Sequence, residues 1–138
     1  MSSTADYNQQ IINEFRTNGG EVPSWGGTSQ LLLLHHRGAK SGVERVNPVV
    51  YLQDDGRYVV FASKAGAATN PAWYHNLKAH PQTTIEVGRD TVAVTAREVT
   101  GDERDRLFRA QAERVPQFAE YQQKTDRVIP VVVLTPAA

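Results

Sequence analysis

The feature that most constrains this fold is a run of short β-rich segments separated by turn residues. In the first half of the chain these segments fall at 31–36, 46–53 and 57–62, and the turn sequences at 38–42 and 54–56. Short β-rich runs bounded by Gly and Asp are typical of antiparallel strands joined by tight turns. The sequence therefore predicts a three-stranded meander over residues 31–62.

The remainder of the chain predicts further strands interleaved with helices. The strands are expected at 83–87, 91–98 and 128–134, and the helices at 7–18, 71–79, about 101–114 and 116–124. Because no regular strand–helix–strand alternation appears, a doubly wound parallel sheet is disfavoured. We expect a mainly β (α+β) protein in which a mostly antiparallel barrel carries peripheral helices. No internal repeat or boundary divides residues 1–138, so one domain is expected, with 1–29 as an N-terminal helix and loop.

Local signals place the helix ends and one helix face. Tyr7, Ile11, Ile12 and Phe15 share one face of the first helix, which we expect to dock on the barrel, and a Gly-, Pro- and Ser-rich loop follows at 19–29. Asn70 is predicted to cap the second helix, with the following proline in its first turn. Residues 100–103 match a capping box that opens the third helix.

Charge and composition narrow the function classes. The 138 residues contain 15 basic and 15 acidic side chains, which gives no general attraction to nucleic acid or to a membrane surface. Cysteine is absent, so disulfides, thiolate nucleophiles and Cys-based metal sites are excluded. No signal peptide is apparent, and the longest apolar run, 31–34, is far shorter than a membrane helix needs. We expect a cytoplasmic protein without stable membrane insertion or a nucleic-acid partner.

Two short segments concentrate positive charge beside small residues. Arg37, Lys40 and Arg45 surround a glycine-containing turn, and Lys64 lies in the small-residue segment 62–68 before a helix. Exposed backbone N–H groups and cationic side chains suit a phosphorylated ligand. The alternative for the turn is a solvated hairpin whose charges are incidental.

Two helical segments add candidate aromatic and polar groups. Trp73 and Leu77, one helical turn apart, are expected in the core, while His75 and Asn76 are free to offer polar groups to a planar heterocycle. Phe118 and Tyr121 share a helical face, as a packing pair or as a lid whose Tyr121 hydroxyl donates a proton.

The histidines do not predict a metal site. His35 and His36 alternate across a strand, and His75 and His80 are five residues apart on a helix, so neither pair presents two ligands to one ion. The chain also lacks a GxGxxG sequence after a strand, a Walker loop and a GxSxG elbow. We therefore expect no metal and no hydrolytic nucleophile.

Three longer motifs resemble one known family. They read GAKSGVERVNPVVYL, FASKAGAATNPAWYHNLKAHP and YQQKTDRVIPVVVLTP, and together they span about residues 30–136. This combination resembles the deazaflavin (F420)-dependent nitroreductase family. The resemblance implies a split β-barrel of the flavin-reductase/FMN-binding type and coenzyme F420, rather than FMN, as cofactor.

The resemblance also implies which residues form the site. Lys40, Ser41 and Arg45 would hold the cofactor phosphate and its acidic tail, and the backbone at Ala39, Val46 and Asn47 would line the same groove. The deazaflavin ring and ribityl chain would contact residues of the 62–64 loop and the 72–76 helix start: Ala62, Ser63, Lys64, Ala72, Trp73, Tyr74, His75 and Asn76. The chain departs from the family pattern at Ala39 and Ala65, and two lid tyrosines of nitroimidazole-activating members are Val115 and Phe118 here.

The implied reaction is hydride transfer from reduced F420 to a small electron-poor substrate such as an enone, a lactone, a quinone or a nitroaromatic ring. Tyr121, Ser63 or water would then supply a proton. The alternatives are a non-catalytic carrier or storage protein for F420 or a flavin, and an FMN enzyme of the same barrel type. A homodimer is a further option, because split barrels of this superfamily often pair through the sheet.

Overall fold

The computed structural model describes residues 4–22, 31–67 and 69–137. Its helices are α1 (Thr4–Thr17), α2 (Ala72–Ala79), α3 (Gly101–Arg114) and α4 (Gln117–Gln123), with a 3-10 turn at Lys64–Gly66. Its strands are β1 (Leu31–Arg37), β2 (Glu44–Asp54), β3 (Arg57–Phe61), β4 (Gln82–Val87), β5 (Asp90–Val99) and β6 (Val131–Pro136).

The six strands form a closed barrel in the order β1-β2-β3-β6-β5-β4. Every neighbouring pair is antiparallel. The predicted meander is confirmed, and so is the mainly β architecture with helices on the outside of the barrel.

Three apolar clusters account for the patterning of the strands. The barrel interior is filled from all six strands and is closed by Trp73 and Leu77 of α2. A second cluster lies under α3 and α4, and a third joins α1 to the outer face of β1 and β2. Consecutive residues of a strand point to opposite faces, so Leu32 and Leu34 enter the interior while Leu31 and Leu33 meet α1. Both faces of β1 are buried, which is why 31–34 is continuously apolar.

Strand direction brings the predicted site segments to one end of the barrel. β2 begins and β3 ends at the same end, because the two strands are antiparallel. The β1–β2 turn, residues 62–67 and 69–71, and the segment 124–130 before β6 therefore share that end with α2. We call it the α2 end of the barrel.

Two seams of the barrel are incompletely paired at the α2 end. β3 pairs with β2 only over Tyr51–Asp54, so the described structure places no strand beside the outer edge of residues 44–50. β1 and β4 are paired only at Leu33↔Glu86 and Leu34↔Ile85. Beyond that point the Thr83 hydroxyl donates to the His35 carbonyl.

Several local predictions are wrong. Tyr7 is 50% exposed and does not share the buried position of Ile11, Ile12 and Phe15. Pro71, not Asn70, occupies the N-cap of α2. Thr100 is the N-cap of α3 as expected, but it makes no capping hydrogen bond through its side chain.

Two further boundaries need comment. The last strand begins at Val131 rather than at residue 128, and Val128 is 68% exposed. Residues 23–29 of the predicted N-terminal loop lie outside the described residues, as does Ala68 of the 62–68 segment.

Candidate functional site

The β1–β2 turn is a tightly bonded loop. Gly38 N donates to Val43 O at 2.9 Å, and Gly42 N donates to Gly38 O at 2.9 Å. Gly42 has a φ of 70°, a backbone conformation that favours glycine, and Gly38 packs closely against the Ser41 hydroxyl. The exposed Lys40 and Ser41 are therefore presented on a defined backbone.

The cations around this turn have no carboxylate partner. Arg37, Lys40 and Arg45 are exposed, and none of them forms an ion pair in the part of the chain that the structure describes. By contrast, Arg57 and Arg106 both pair with Asp54 at the other end of the barrel. The turn therefore offers uncompensated positive charge to an anion.

A chain of hydrogen bonds, buried at its centre, fixes the turn to α2, β1 and β2. Ala39 N donates to Asn76 Oδ1 at 2.9 Å, and Asn76 Nδ2 lies 2.9 Å from His36 Nδ1. His36 Nε2 lies 2.6 Å from Asn47 Oδ1. His36 and Asn76 are only 3% and 7% exposed. We call this chain, from Ala39 to Asn47, the turn relay.

Arg127 holds residues 62–67, which are the described part of the second predicted segment. Its guanidinium donates to the carbonyls of Ala62 (3.0 Å), Ser63 (2.7 Å) and Ala67 (2.9 Å). It also donates to Asn70 Oδ1 at 2.8 Å, which explains why Asn70 does not cap α2. Burial lowers the pKa of Arg127, and no carboxylate among the described residues pairs with it. Arg127 therefore shapes the loop and adds unneutralised charge to it.

The loop also fits closely against α4. Gly66 has a φ of 82°, and a Cβ there would lie 2.8 Å from Tyr121 O and 2.9 Å from Lys124 Cβ. Lys64 has a φ of 46° and directs its Nζ to Thr69 Oγ1 at 3.4 Å. The conformation of the loop thus depends on a glycine at position 66, which the sequence retains.

The two aromatic candidates of α4 have different environments. Their rings meet edge to face with centroids 5.4 Å apart, as the shared helical face predicted. Phe118 is buried and packs on Phe61 at 5.7 Å. Tyr121 is half-buried, and its hydroxyl makes no hydrogen bond to any residue that the structure describes. Tyr121 rather than Phe118 is available to a ligand.

The candidate residues of α2 do not face one site. Trp73 packs into the barrel interior, and His75 is exposed. Tyr74 Oη donates to Glu98 Oε1 at 2.7 Å on β5, and burial together with that carboxylate raises the pKa of Tyr74. Asn76 points instead to the turn. Of these four side chains, Asn76 alone contacts a residue of the cationic turn.

The remaining candidates lie along β2. Asn47 is the last member of the turn relay. The Val46 side chain packs toward α1, so only the backbone of Val46 is available to a ligand. The unpaired edge of residues 44–50 separates the turn from the loop 62–67. This open edge therefore lies between the two segments that were predicted to bind the cofactor.

A cleft of about 420 Å³ opens on the other side of the hairpin, at the β1–β4 seam. It is lined by His35, His36, Arg37, Glu44, His80, Gln82, Thr83 and Thr84. Arg37 of the cationic turn lines it, whereas none of the residues that the family resemblance assigns to the cofactor does. His35 contacts Glu44 at 3.2 Å and Glu86 at 2.7 Å there, but the described residues contain no group of three or more ligands arranged for a metal ion.

The site fits a phosphorylated cofactor in two respects. The turn and the Arg127 loop supply positive charge that no carboxylate of the described residues neutralises, and both lie beside the open edge of β2. Sequence reasoning missed two residues that build this arrangement. His36 alternates with Leu32 and Leu34 on the inward face of its strand, which was a usable signal. Arg127 lies in the third family motif, but its bonds span about 60 residues, so no local pattern specifies its partners.

Comparisons with known proteins agree with the motifs. A sequence profile described as F420H(2)-dependent quinone reductase matches residues 8–136. An F420H(2)-dependent quinone reductase of Mycobacterium tuberculosis (strain ATCC 25618 / H37Rv) is 41% identical over 122 residues, covering 86% of this chain and 82% of that protein.

Solved structures confirm the split-barrel class. An F420-H2 dependent reductase (FDR-A) superposes with a TM-score of 0.70 and 40% identity over 75% of this chain and 92% of that one. A protein solved as a domain-swapped dimer gives a TM-score of 0.72 and 34% identity over 96% and 99% of the two chains. None of the helices in the described part of the chain has the length and apolarity needed to cross a membrane.

The matching profile carries the quinone reductase description rather than the nitroreductase label of the motif resemblance. Both descriptions specify reduction with F420. The chain belongs to the F420H(2)-dependent quinone reductase family, whose cofactor is coenzyme F420.

Proposed function

We propose that this protein is an F420H2-dependent reductase of small electron-poor acceptors, with quinones as the first substrate class to test. The cationic turn carries the proposal, because its charges pair with no carboxylate of the described residues and its backbone is fixed by the turn relay. The family description and the name of the mycobacterial relative support F420 and a quinone acceptor. Enones, lactones and nitroaromatic compounds remain further candidate acceptors.

Each part of the site has a role in this proposal. Lys40, Ser41 and Arg45 bind the phosphate and acidic tail, with the backbone of Ala39, Val46 and Asn47 along the groove. The second group builds the wall beside the ring and ribityl chain: Ala62, Ser63, Lys64, Ala72, Trp73, Tyr74, His75 and Asn76. The buried Trp73 and the hydroxyl of Tyr74 act from behind this surface. When bound, F420H2 supplies the hydride.

The protein's chemical contribution is to orient the ligands and to provide a proton. Tyr121 is the first candidate donor, because its hydroxyl is free of partners among the described residues and its backbone lies against Gly66 of the loop. Ser63 is the second, although its side chain is largely buried. Water is the third.

The binding experiment compares F420 and FMN by fluorescence titration. We expect F420 to bind at least tenfold more tightly. Lys40→Gln and Arg45→Gln each remove a charge-assisted contact of roughly 1.5–3 kcal/mol, so F420 affinity should fall about tenfold or more. Arg109→Gln is the matched control, because Arg109 is an exposed arginine on α3. Tighter binding of FMN, or equal losses in all three variants, would contradict the proposal.

The turnover experiment separates an enzyme from a carrier. F420H2 oxidation is followed with a quinone, an enone and a nitroaromatic acceptor. If Tyr121 is the acid, Tyr121→Phe should keep F420 affinity and lower the turnover number by about 10–10⁴-fold. Tight binding without turnover of any acceptor would favour a carrier, and full activity of Tyr121→Phe would discard Tyr121 as the acid.

We also propose that the protein is a homodimer. The support is a relative at 34% identity that was solved as a domain-swapped dimer. Light scattering coupled to size-exclusion chromatography measures the mass directly. A monomeric mass at micromolar concentration would contradict the proposal.

A further inference from the structure

The turn relay has only one consistent assignment of its protons. The Ala39 backbone N–H can only donate, so the Asn76 atom 2.9 Å from it is an accepting oxygen. The Asn76 amide nitrogen must therefore donate to His36 Nδ1, which has to carry a lone pair. The proton of the neutral ring then lies on Nε2, where it is donated to Asn47 Oδ1.

The surroundings of His36 favour this neutral form. Burial lowers the pKa of His36, and the nearby charge of Arg45 lowers it further. The hydrogen bond to Asn47 acts in the opposite direction and raises it. The titratable and charged groups around the ring are His35 and Arg37 on its own strand, Glu44 and Arg45 on β2, and His80 after α2. Glu44 is the one carboxylate of this set, and it bonds to His35.

Protonation of His36 is incompatible with the relay. An imidazolium donates from both nitrogens, so Nδ1–H would face the Asn76 amide nitrogen, which is also a donor. Asn76 can recover one bond by turning its oxygen toward His36, but Ala39 N–H then faces an NH2 group. In either arrangement one donor of the relay loses its acceptor. In the second arrangement the bond that is lost is the one from Ala39 N to Asn76, which joins the cationic turn to α2.

We propose that His36 and Asn76 are positioning residues for the cationic turn, and that protonation of His36 releases the turn and weakens its hold on the anionic cofactor. The proposal rests on the proposed function for the identity of that ligand. It predicts that F420 affinity falls by about 3–10-fold below pH 6, the loss expected for one hydrogen bond.

Two substitutions of Asn76 test the direction of the coupling. In Asn76→Asp one carboxylate oxygen accepts from Ala39 N–H and the other accepts from His36 Nδ1–H, so the turn keeps its acceptor in both states of His36. The acid-dependent loss should disappear. In Asn76→Ala the acceptor is absent at every pH, so affinity should be weaker throughout and again independent of His36. For each protein the ratio of the F420 affinities at pH 7.5 and pH 5.5 is measured. Titration of the cofactor changes this ratio equally in wild type and variants, so it cancels when the proteins are compared.

His80→Gln provides the matched control. His80 is exposed beside His36 in the seam cleft and is outside the relay. This variant should keep the full acid-dependent loss of wild type. An acid-dependent loss that persists in Asn76→Asp, or one that disappears in His80→Gln, would overturn the proposal.

A second measurement does not need the cofactor. ¹⁵N spectra of the free protein should show the Nε2–H tautomer of His36 at neutral pH, and the Ala39 amide shift should titrate with the same midpoint as the His36 ring. In Asn76→Asp that midpoint should rise. Failure of wild type to bind F420 at pH 7.5 would refute the proposed function alone, since the coincident titrations would still support the relay. Different titration midpoints for the His36 ring and the Ala39 amide would overturn the proposal that His36 controls the turn.

Discussion

Replacement of Arg127 should destabilise the α2 end of the barrel more than the loss of any exposed arginine. The side chain makes four hydrogen bonds, three of them to backbone carbonyls of the 62–67 loop. Methionine at position 127 keeps the apolar stem but supplies no donor. The three carbonyls and Asn70 Oδ1 would then depend on water.

The loss of stability expected for Arg127→Met follows from these contacts. An intramolecular hydrogen bond contributes about 0.5–1.5 kcal/mol net, so four give roughly 2–6 kcal/mol. Arg127 is only half-buried, and water can replace part of this, which places Arg127→Met at about 2–4 kcal/mol. For a chain of this size, about 3–5 °C per kcal/mol gives a fall in Tm of roughly 6–20 °C. The Tm of Arg127→Lys should lie between those of wild type and Arg127→Met, because one ammonium cannot reach four separated acceptors.

Thermal unfolding monitored by circular dichroism measures the shift. Arg109→Met is the control, because it also exchanges an arginine for methionine but at an exposed position of α3. Its effect should stay within about 0.5 kcal/mol. If the fall in Tm of Arg127→Met is no larger than that of Arg109→Met, Arg127 does not hold the loop.

Three further outcomes follow from other contacts. Gly66→Ala should cost about 1–3 kcal/mol more than Gly56→Ala in denaturant unfolding, because both have positive φ but only the first would place a Cβ 2.8 Å from Tyr121 O. Equal costs would contradict the close packing of the loop on α4. The hydrogen bond from Arg16 lowers the pKa of Glu86, so the stabilisation that Glu86→Gln removes is present above about pH 4.3 and is lost as pH falls through the lowered pKa. The Tm difference between wild type and Glu86→Gln should therefore shrink below about pH 4, and a constant difference would contradict it. Tyr74→Phe removes the bond to Glu98 and the one accepted from Lys78, and it should leave F420 affinity within about twofold, since neither partner belongs to the cationic turn.

The strands were predictable because their signals are local. Each of the six expected strands overlaps an observed one, and the turns at 54–56 and 88–89 contain the glycines with positive φ that a reversal requires. The order of strands in the barrel follows from pairings between distant segments, such as β3 with β6, that no local pattern specifies. The start of β6 was misplaced because Val128 looks like strand while the chain there is still completing the Arg127 contacts.

Helix capping failed for a tertiary reason. Asn70 has the residue type and spacing of an N-cap, but its side-chain oxygen is taken by a guanidinium from 57 residues further along the chain. Local propensity describes what a side chain can bond to, and the fold decides which partner arrives. The same limit applied to the site, where Lys40 and Lys64 were visible as charges but the groups that fix their backbone were not.

The supports of the site share one chemical property that bears on its function. Arg127 is bonded to three carbonyls and an amide, and the cationic turn is held by a neutral histidine and two asparagines. Carboxylates in these places would supply stronger bonds, but they would also cancel the positive charge that an anionic ligand needs. Elsewhere the protein uses carboxylates freely, as where Glu86 bonds to Arg16 through both oxygens. Neutral acceptors at the α2 end allow a chain whose charges sum to zero to keep one positive surface. The same choice makes that surface sensitive to acid, since a neutral histidine holds the turn only while it remains unprotonated.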